Sequence, residues 1–129
     1  LNLQFPEIVG VIHSNKEQNY RFNTVKQFKA GVFKYIIATD IMARGIDVAE
    51  VTHVINFDTP EVPENYIHRI GRSGRFGKKG VIINMVTSEN FKTLIDITNY
   101  YNIKMQSRLS AVRAITNGKP LPLVVVIGI

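Results

Sequence analysis

The chain has 129 residues, with 16 Lys and Arg against 10 Asp and Glu, a formal charge of +6 and a pI near 9.7. That length admits one domain with a real core, and the 45% hydrophobic and 20% charged shares exclude a disordered tail, a collagenous fibre or a coiled coil. Cysteine is absent, which excludes disulfides, thiolate metal sites and cysteine nucleophiles and fits a reducing compartment.

In chain order, four Val- and Ile-rich runs predict strands at Ile8–His13, Lys34–Thr39, His53–Phe57 and Val81–Thr87. They show little strict alternation, as strands covered on both faces do. Between the first two, Gln18–Ala30 has helical spacing, with Phe22, Val25 and Phe28 expected on a core-facing stripe. Pro63 and Glu64 suit a first helical turn that would carry Tyr66, Ile67 and Ile70 inward. A third helix is expected over Ser88–Tyr101, with Ser88 as N-cap and Phe91, Leu94, Ile95 and Ile97 apolar. Alternating strands and helices predict an α/β domain with a mainly parallel sheet. Asn117-Gly-Lys-Pro-Leu-Pro122 is linker-like, and Leu123–Ile129 beyond it is β-prone and fits a final strand or a sticky tail equally. Pro120–Ile129, the longest uncharged stretch, falls far short of the ~18 apolar residues of a membrane span. No basic-then-apolar leader opens the chain, so a soluble cytoplasmic protein without a membrane partner is expected.

Charge is unevenly placed. Residues 1–67 hold six basic and eight acidic side chains, whereas residues 68–129 hold ten basic and two acidic. This asymmetry suits a polyanion partner as well as it suits a solvated basic face. Three patches carry candidate chemistry. The first follows the second strand, where ligands of parallel sheets gather: Thr39, Asp40, Arg44, Gly45 and Asp47 lie within nine positions. Thr39 can donate to a phosphate, an aspartate can accept from a ribose hydroxyl, and Gly45 lets a backbone come close. A capped surface loop explains the same residues. The second patch is His68 to Arg75, where Arg72 and Arg75 would share a face if the helix continues and Gly71 and Gly74 would clear a strip for another surface. Guanidinium forks match phosphate oxygens, and a basic helix end with a glycine stop explains one arginine and one glycine but not the doubled pattern. The third is Gln18 and Arg21 at the start of the first helix, with Lys26 and Lys29 along a basic edge; taken alone, an amphipathic helix with a polar face explains it better.

Ala38-Thr-Asp-Ile-Met-Ala-Arg-Gly-Ile-Asp47 and Tyr66-Ile-His-Arg-Ile-Gly-Arg-Ser-Gly-Arg75 resemble motifs V and VI of the DEAD-box RNA helicases. Gln18-Asn-Tyr-Arg21 resembles their Gln-x-x-Arg element, and Val54-Ile-Asn-Phe-Asp-Thr-Pro60 the strand between the two motifs. The resemblance covers residues 8–105. It implies the second lobe of a two-lobed ATP-dependent motor: a RecA-like three-layer α/β sandwich lacking the family's first strand and helix, with residues 106–129 as an extension. By resemblance, Arg72 and Arg75 are catalytic arginine fingers on ATP, and Asp47 binds the ribose. His68, Arg69 and Arg44 couple the lobes, and Gln18, Arg21, Thr39 and Gly45 bind the RNA backbone. The resemblance places the phosphate loop and the Mg ligands on an N-terminal lobe of the same polypeptide, so this chain alone is expected to be inactive on ATP and to hold no metal.

Ser14 departs from the glycine commoner in the family's stretch after the first strand here. A dinucleotide fingerprint is not supported, because Gly71, Gly74 and Gly77 follow a helix rather than a strand. His13, His53 and His68 lack metal-site spacing. The alternative to a motor lobe is a non-catalytic RNA-binding or regulatory module of the same fold. A phosphate loop and an Asp-Glu-Ala-Asp sequence upstream would discriminate the two.

Overall fold

A computed structural model describes residues 7–40, 48, 51–74, 77, 79–105 and a strand at 124–127. The strands are β1 (Val9–Ile12), β2 (Tyr35–Ala38), β3 (His53–Asn56), β4 (Val81–Asn84) and β5 (Val124–Ile127). The helices are α1 (Gln18–Lys29), α2 (Pro63–Ile70) and α3 (Phe91–Tyr100). The five strands form one sheet in the order β1-β2-β5-β3-β4, and every neighbouring pair is parallel. The chain's last described segment is therefore the sheet's middle strand. Val124–Ile127, within the stretch expected as an extension of uncertain structure, is a strand of the sheet.

Register sets what each face presents. Gly10, Ile36, Val54 and Ile82 occupy one row across the sheet, and Ile12, Ala38, Asn56 and Asn84 the next row on the same face. The main core forms there, from Ile12, Ile36, Ala38 and Val54 of the strands, Phe28 of α1, and Val48 and Val51. A second cluster joins α2 to α3 through Tyr66, Leu94 and Ile97, with Ile67 and Ile70 at its margin.

Local chemistry explains the helix limits. The last turn of α1 carries Lys26 and Lys29, which complement the negative helix end. Pro63 opens α2, Glu64 sits in its first turn, and His68 and Arg69 sit in its last. α3 begins at Phe91 after Asn90, and not after the expected Ser88. There the Thr87 N–H donates to Asn90 Oδ1 at 2.8 Å and the Asn90 N–H to Thr87 Oγ1 at 3.4 Å. This reciprocal pair shapes the turn of residues 88–90, so the helix starts later.

Phe22 also departs from expectation: it is 70% exposed, while Thr24 and Phe28 are buried and Val25 packs against the core. Phe91 is exposed as well.

α1 lies close against β1 because Gly10 has no side chain. A Cβ there would come within 2.6 Å of Thr24 Cγ2 and 3.0 Å of Phe33 Cδ2. Gly10→Ala is expected to lower stability by about 1–3 kcal/mol through overpacking, read as a lower urea midpoint at unchanged slope.

Candidate functional site at the carboxyl edge of the sheet

Parallel strands deliver their following loops to one edge. His13 and Ser14 follow β1, Thr39 and Asp40 follow β2, and Phe57 and Asp58 follow β3. Because β1 and β2 pair with Ile12 opposite Ala38, His13 and Thr39 come next in register. α1 starts on this edge too, so Gln18, exposed on its first turn, and half-buried Arg21 share it with Thr39. Three of the four expected RNA-contact residues thus lie toward the same edge of the sheet. The fourth, Gly45, lies outside the described residues, as do Arg44, Asp47 and Arg75.

The anchor of the site is Arg69, on α2. It is 2% exposed, and its guanidinium grips Asp40 with two bonds, Nε to Oδ1 at 2.6 Å and Nη2 to Oδ2 at 2.7 Å. Nη1 donates to the carbonyl of Asp58 at 2.8 Å and to its carboxylate at 3.1 Å. Burial works to lower the Arg69 pKa, but the hydrogen bonds and charges of Asp40 and Asp58 outweigh it and hold the group above its ordinary value. The bidentate fork suits arginine and no other side chain. Asp40 follows β2 and Asp58 follows β3, the two strands that flank β5. Arg69 therefore ties together the loops on either side of the middle strand. The guanidinium is buried and bonded to residues of its own lobe. His68, one position earlier on α2, is exposed.

A second tie follows the end of α2. The helix stops at Ile70, with Gly71 as its C-cap, so the condition under which Arg72 and Arg75 would share a helical face is not met. The Val51 N–H donates to the Arg72 carbonyl at 3.3 Å, and Val51 bridges Ser73 in parallel fashion. Gly74 then takes φ of +73°, a left-handed conformation that glycine adopts without strain. A Cβ on Gly80 would collide with the Ser73 side chain and lie 2.7 Å from the Gly74 nitrogen, so this turn lies flat against residue 80. Gly71 and Gly74 thus serve a helix stop and a turn rather than a cleared helical strip. Arg72 is half-buried on the turn.

Asp40 lies in the Arg69 grip, and Val48 and Val51 lie in the core. Asp47 adjoins Val48 in sequence. The two longest sequence patches are thereby joined.

The sequence reading assigned no partners to Arg69 and missed a polar relay beneath the edge. Asn56 donates to Asn84 at 2.7 Å, and Asn84 donates to the Tyr66 hydroxyl at 3.1 Å. Burial raises the Tyr66 pKa, partly offset by that hydrogen bond. An asparagine at the same row of two neighbouring apolar strands was the available signal. His53, half-buried on β3 with Nδ1 2.9 Å from Thr52 Oγ1, has its pKa lowered by burial. Among the described residues no group of three or more His, Asp or Glu is placed to hold a metal. None of the described helices is long and apolar enough to cross a membrane.

A parallel sheet whose carboxyl edge joins two arginine- and aspartate-bearing segments through a buried guanidinium defines a RecA-like helicase lobe. Residues 2–77 match the helicase conserved C-terminal domain, and the chain belongs to that family as the C-terminal lobe of a DEAD-box helicase. It is 50% identical over 98 residues to eukaryotic initiation factor 4A-3 of Arabidopsis thaliana, covering 76% of this chain and 24% of the relative. Against initiation factor 4A of Zea mays the identity is 47% over the same shares. The chain thus spans about a quarter of the length of the curated relatives it matches. Among solved structures, it superposes on the C-terminal domain of the DEAD-box protein Dbp5 with a TM-score of 0.76 and 33% identity. That superposition covers 92% of this chain and 73% of the other. Dbp5 of S. cerevisiae bound to RNA and ADP BeF3 gives a TM-score of 0.72 at 35% identity, over 84% of this chain and 31% of that one.

Proposed function

We propose that this lobe supplies Arg72 and Arg75 as arginine fingers to ATP held by an N-terminal lobe of the same polypeptide. It binds the RNA backbone at the same time, so that ATP hydrolysis is coupled to duplex unwinding. The observation that carries this reading is the joining of the two patches, by Arg69 to Asp40 and Asp58 and by Val51 to the Arg72–Ser73 backbone. A rigid link between a phosphate-directed arginine and an RNA-directed loop is what a coupled motor needs: occupancy of one site then biases the position of the other. The solved Dbp5 structure with both RNA and ADP BeF3 supports a family site that engages both ligands.

In this reading Arg72 and Arg75 meet the charge that develops on the transferred phosphoryl group. Asp47 accepts from the ribose hydroxyls. Arg44 and His68 contact the other lobe, and Arg69 acts behind them by fixing the loops. Gln18, Arg21, Thr39 and Gly45 hold RNA phosphates and sugars, which makes binding salt-dependent and largely indifferent to sequence. The Mg ion that accompanies ATP neutralises phosphate charge from ligands on the other lobe. Without that lobe the chain is inactive on ATP. A cytoplasmic placement belongs to the same proposal.

The test is RNA-stimulated ATP turnover in the two-lobed protein. Arg72→Ala and Arg75→Ala are each expected to lower kcat by about 10³-fold, the lower range for a finger arginine, with RNA affinity changed by about threefold at most. Turnover equal to the parent in both variants would overturn the assignment.

A further inference from the structure

Phe22 is 70% exposed on a helix whose Thr24 and Phe28 are buried and whose Val25 packs against the core. At 100° per residue, Gln18, Phe22, Lys26 and Lys29 fall within an arc of about 80° on α1. All four are exposed, and Arg21 and Val25, both half-buried, border the row on the core side. The row climbs about 16 Å along the axis, the length of a few nucleotides of single strand. From Lys16 to Thr39 there are five basic side chains and one carboxylate, Glu17.

We infer that Phe22 is a stacking platform for a base of single-stranded RNA, with Lys26 and Lys29 meeting the phosphates beside it. An exposed phenyl ring contributes little to folding, but every base has a π-face that can lie on it, and the flanking cations attract the backbone. The neighbours decide between RNA and a protein partner. Among the described residues of α1, Gln18, Asn19, Asn23, Lys26 and Lys29 lie on the solvent side near Phe22, all of them polar and exposed, so this face of the helix offers Phe22 no apolar neighbour of its own. The inference rests on the reading of Gln18 and Arg21 as RNA contacts: Gln18 shares the row and Arg21 precedes Phe22. It adds a base contact to what is otherwise a backbone interface.

The probe is a fluorescein-labelled ten-nucleotide oligouridylate titrated with the chain. Phe22→Ala and Phe22→Leu are both expected to weaken binding about fivefold or more, the lower range for loss of one stacked base. Phe22→Trp should bind at least as tightly as the parent. The protein contains no tryptophan, so that variant reports directly, by quenching of its single indole on adding RNA. Lys26→Ala should flatten the dependence of log affinity on log salt by about 0.7, while Phe22→Ala leaves the slope unchanged. No binding by the parent would overturn both the inference and the RNA reading of α1. Parent-like affinity in Phe22→Ala, with Gln18→Ala and Arg21→Ala impaired, would overturn the stacking role alone. So would retention of affinity by Phe22→Leu, or a Phe22-dependent dimer in solution, either of which marks the ring as an apolar protein contact.

Discussion

Asp40→Ala is expected to lower the unfolding midpoint by about 10 °C and to cost more than Arg69→Met, although both break the same pair. The asymmetry follows from burial. Arg69 is 2% exposed, whereas the side chains of Asp40 and Asp58 are 30% and 50% exposed. Removing Asp40 strands a guanidinium in the interior with only the Asp58 contacts left, and uncompensated buried charge costs about 3–5 kcal/mol. For a chain of this size about 3 kcal/mol corresponds to roughly 10 °C. Methionine at 69 instead fills most of the volume with an apolar chain, and the two carboxylates turn to water. Only the bond to the Asp58 carbonyl goes unreplaced, so a loss of about 1–2 kcal/mol is expected. Paired thermal melts decide the order, and the reverse order would mean that the carboxylates, not the guanidinium, are the strained partners. The raised pKa of Arg69 adds a sign: its contribution is complete below the ordinary arginine value and is lost only as pH rises through the raised one. The melts should therefore show no contribution from this group's titration across neutral pH. Asp40 adjoins Thr39, so the same substitution is also expected to weaken RNA binding in the native state.

What was legible in the sequence was what local pattern dictates. Val and Ile runs located β1 to β4, and Pro63 located the start of α2, because a parallel strand and a helix entrance are each encoded within a few residues. Phe22 shows where a local pattern misleads. Phe22 and Phe28 recur at threes, but six residues at 100° each leave them 120° apart, too far to share the face that buries Phe28. The Gly71 stop shows the same: the basic residues suit a continuing helix, yet the backbone of Arg72 and Ser73 is claimed by Val51, more than twenty positions earlier. Arg69 carried only the lobe-coupling role that the resemblance implies, and no local pattern named its partners. Its partners lie 29 and 11 positions away, and only the sheet order brings them together. The Leu123–Ile129 end looked equally like a strand or a tail because occupancy of a sheet position depends on what the other strands leave open, and no window of sequence contains that information.

That last point makes the second large prediction. Deleting residues 123–129 is expected to abolish cooperative unfolding. β2 and β3 each form a ladder with β5 and neither pairs with the other, so the sheet is continuous only through Val124–Ile127. Without it, β1–β2 and β3–β4 become separate two-stranded pieces, below the size at which strands are stable alone. Parallel strands also need the interior burial that a continuous sheet creates. Val125→Pro tests the backbone without shortening the chain. It removes one N–H from a strand hydrogen-bonded on both sides, where proline is excluded, and should lower the midpoint nearly as far. A substitution at Tyr100, 80% exposed, serves as the control and should stay within about 0.5 kcal/mol of the parent. Amide exchange gives the sharper measurement: protection in β2 and β3 should fall together with that of β5, while a truncated chain that keeps both would refute the central placement. The consequence extends to the site. Arg69 joins the loop after β2 to the loop after β3 across the carboxyl end of β5. When the middle strand goes, the two loops lose the spacing the guanidinium spans, so RNA affinity and exchange protection should fail in the same variants.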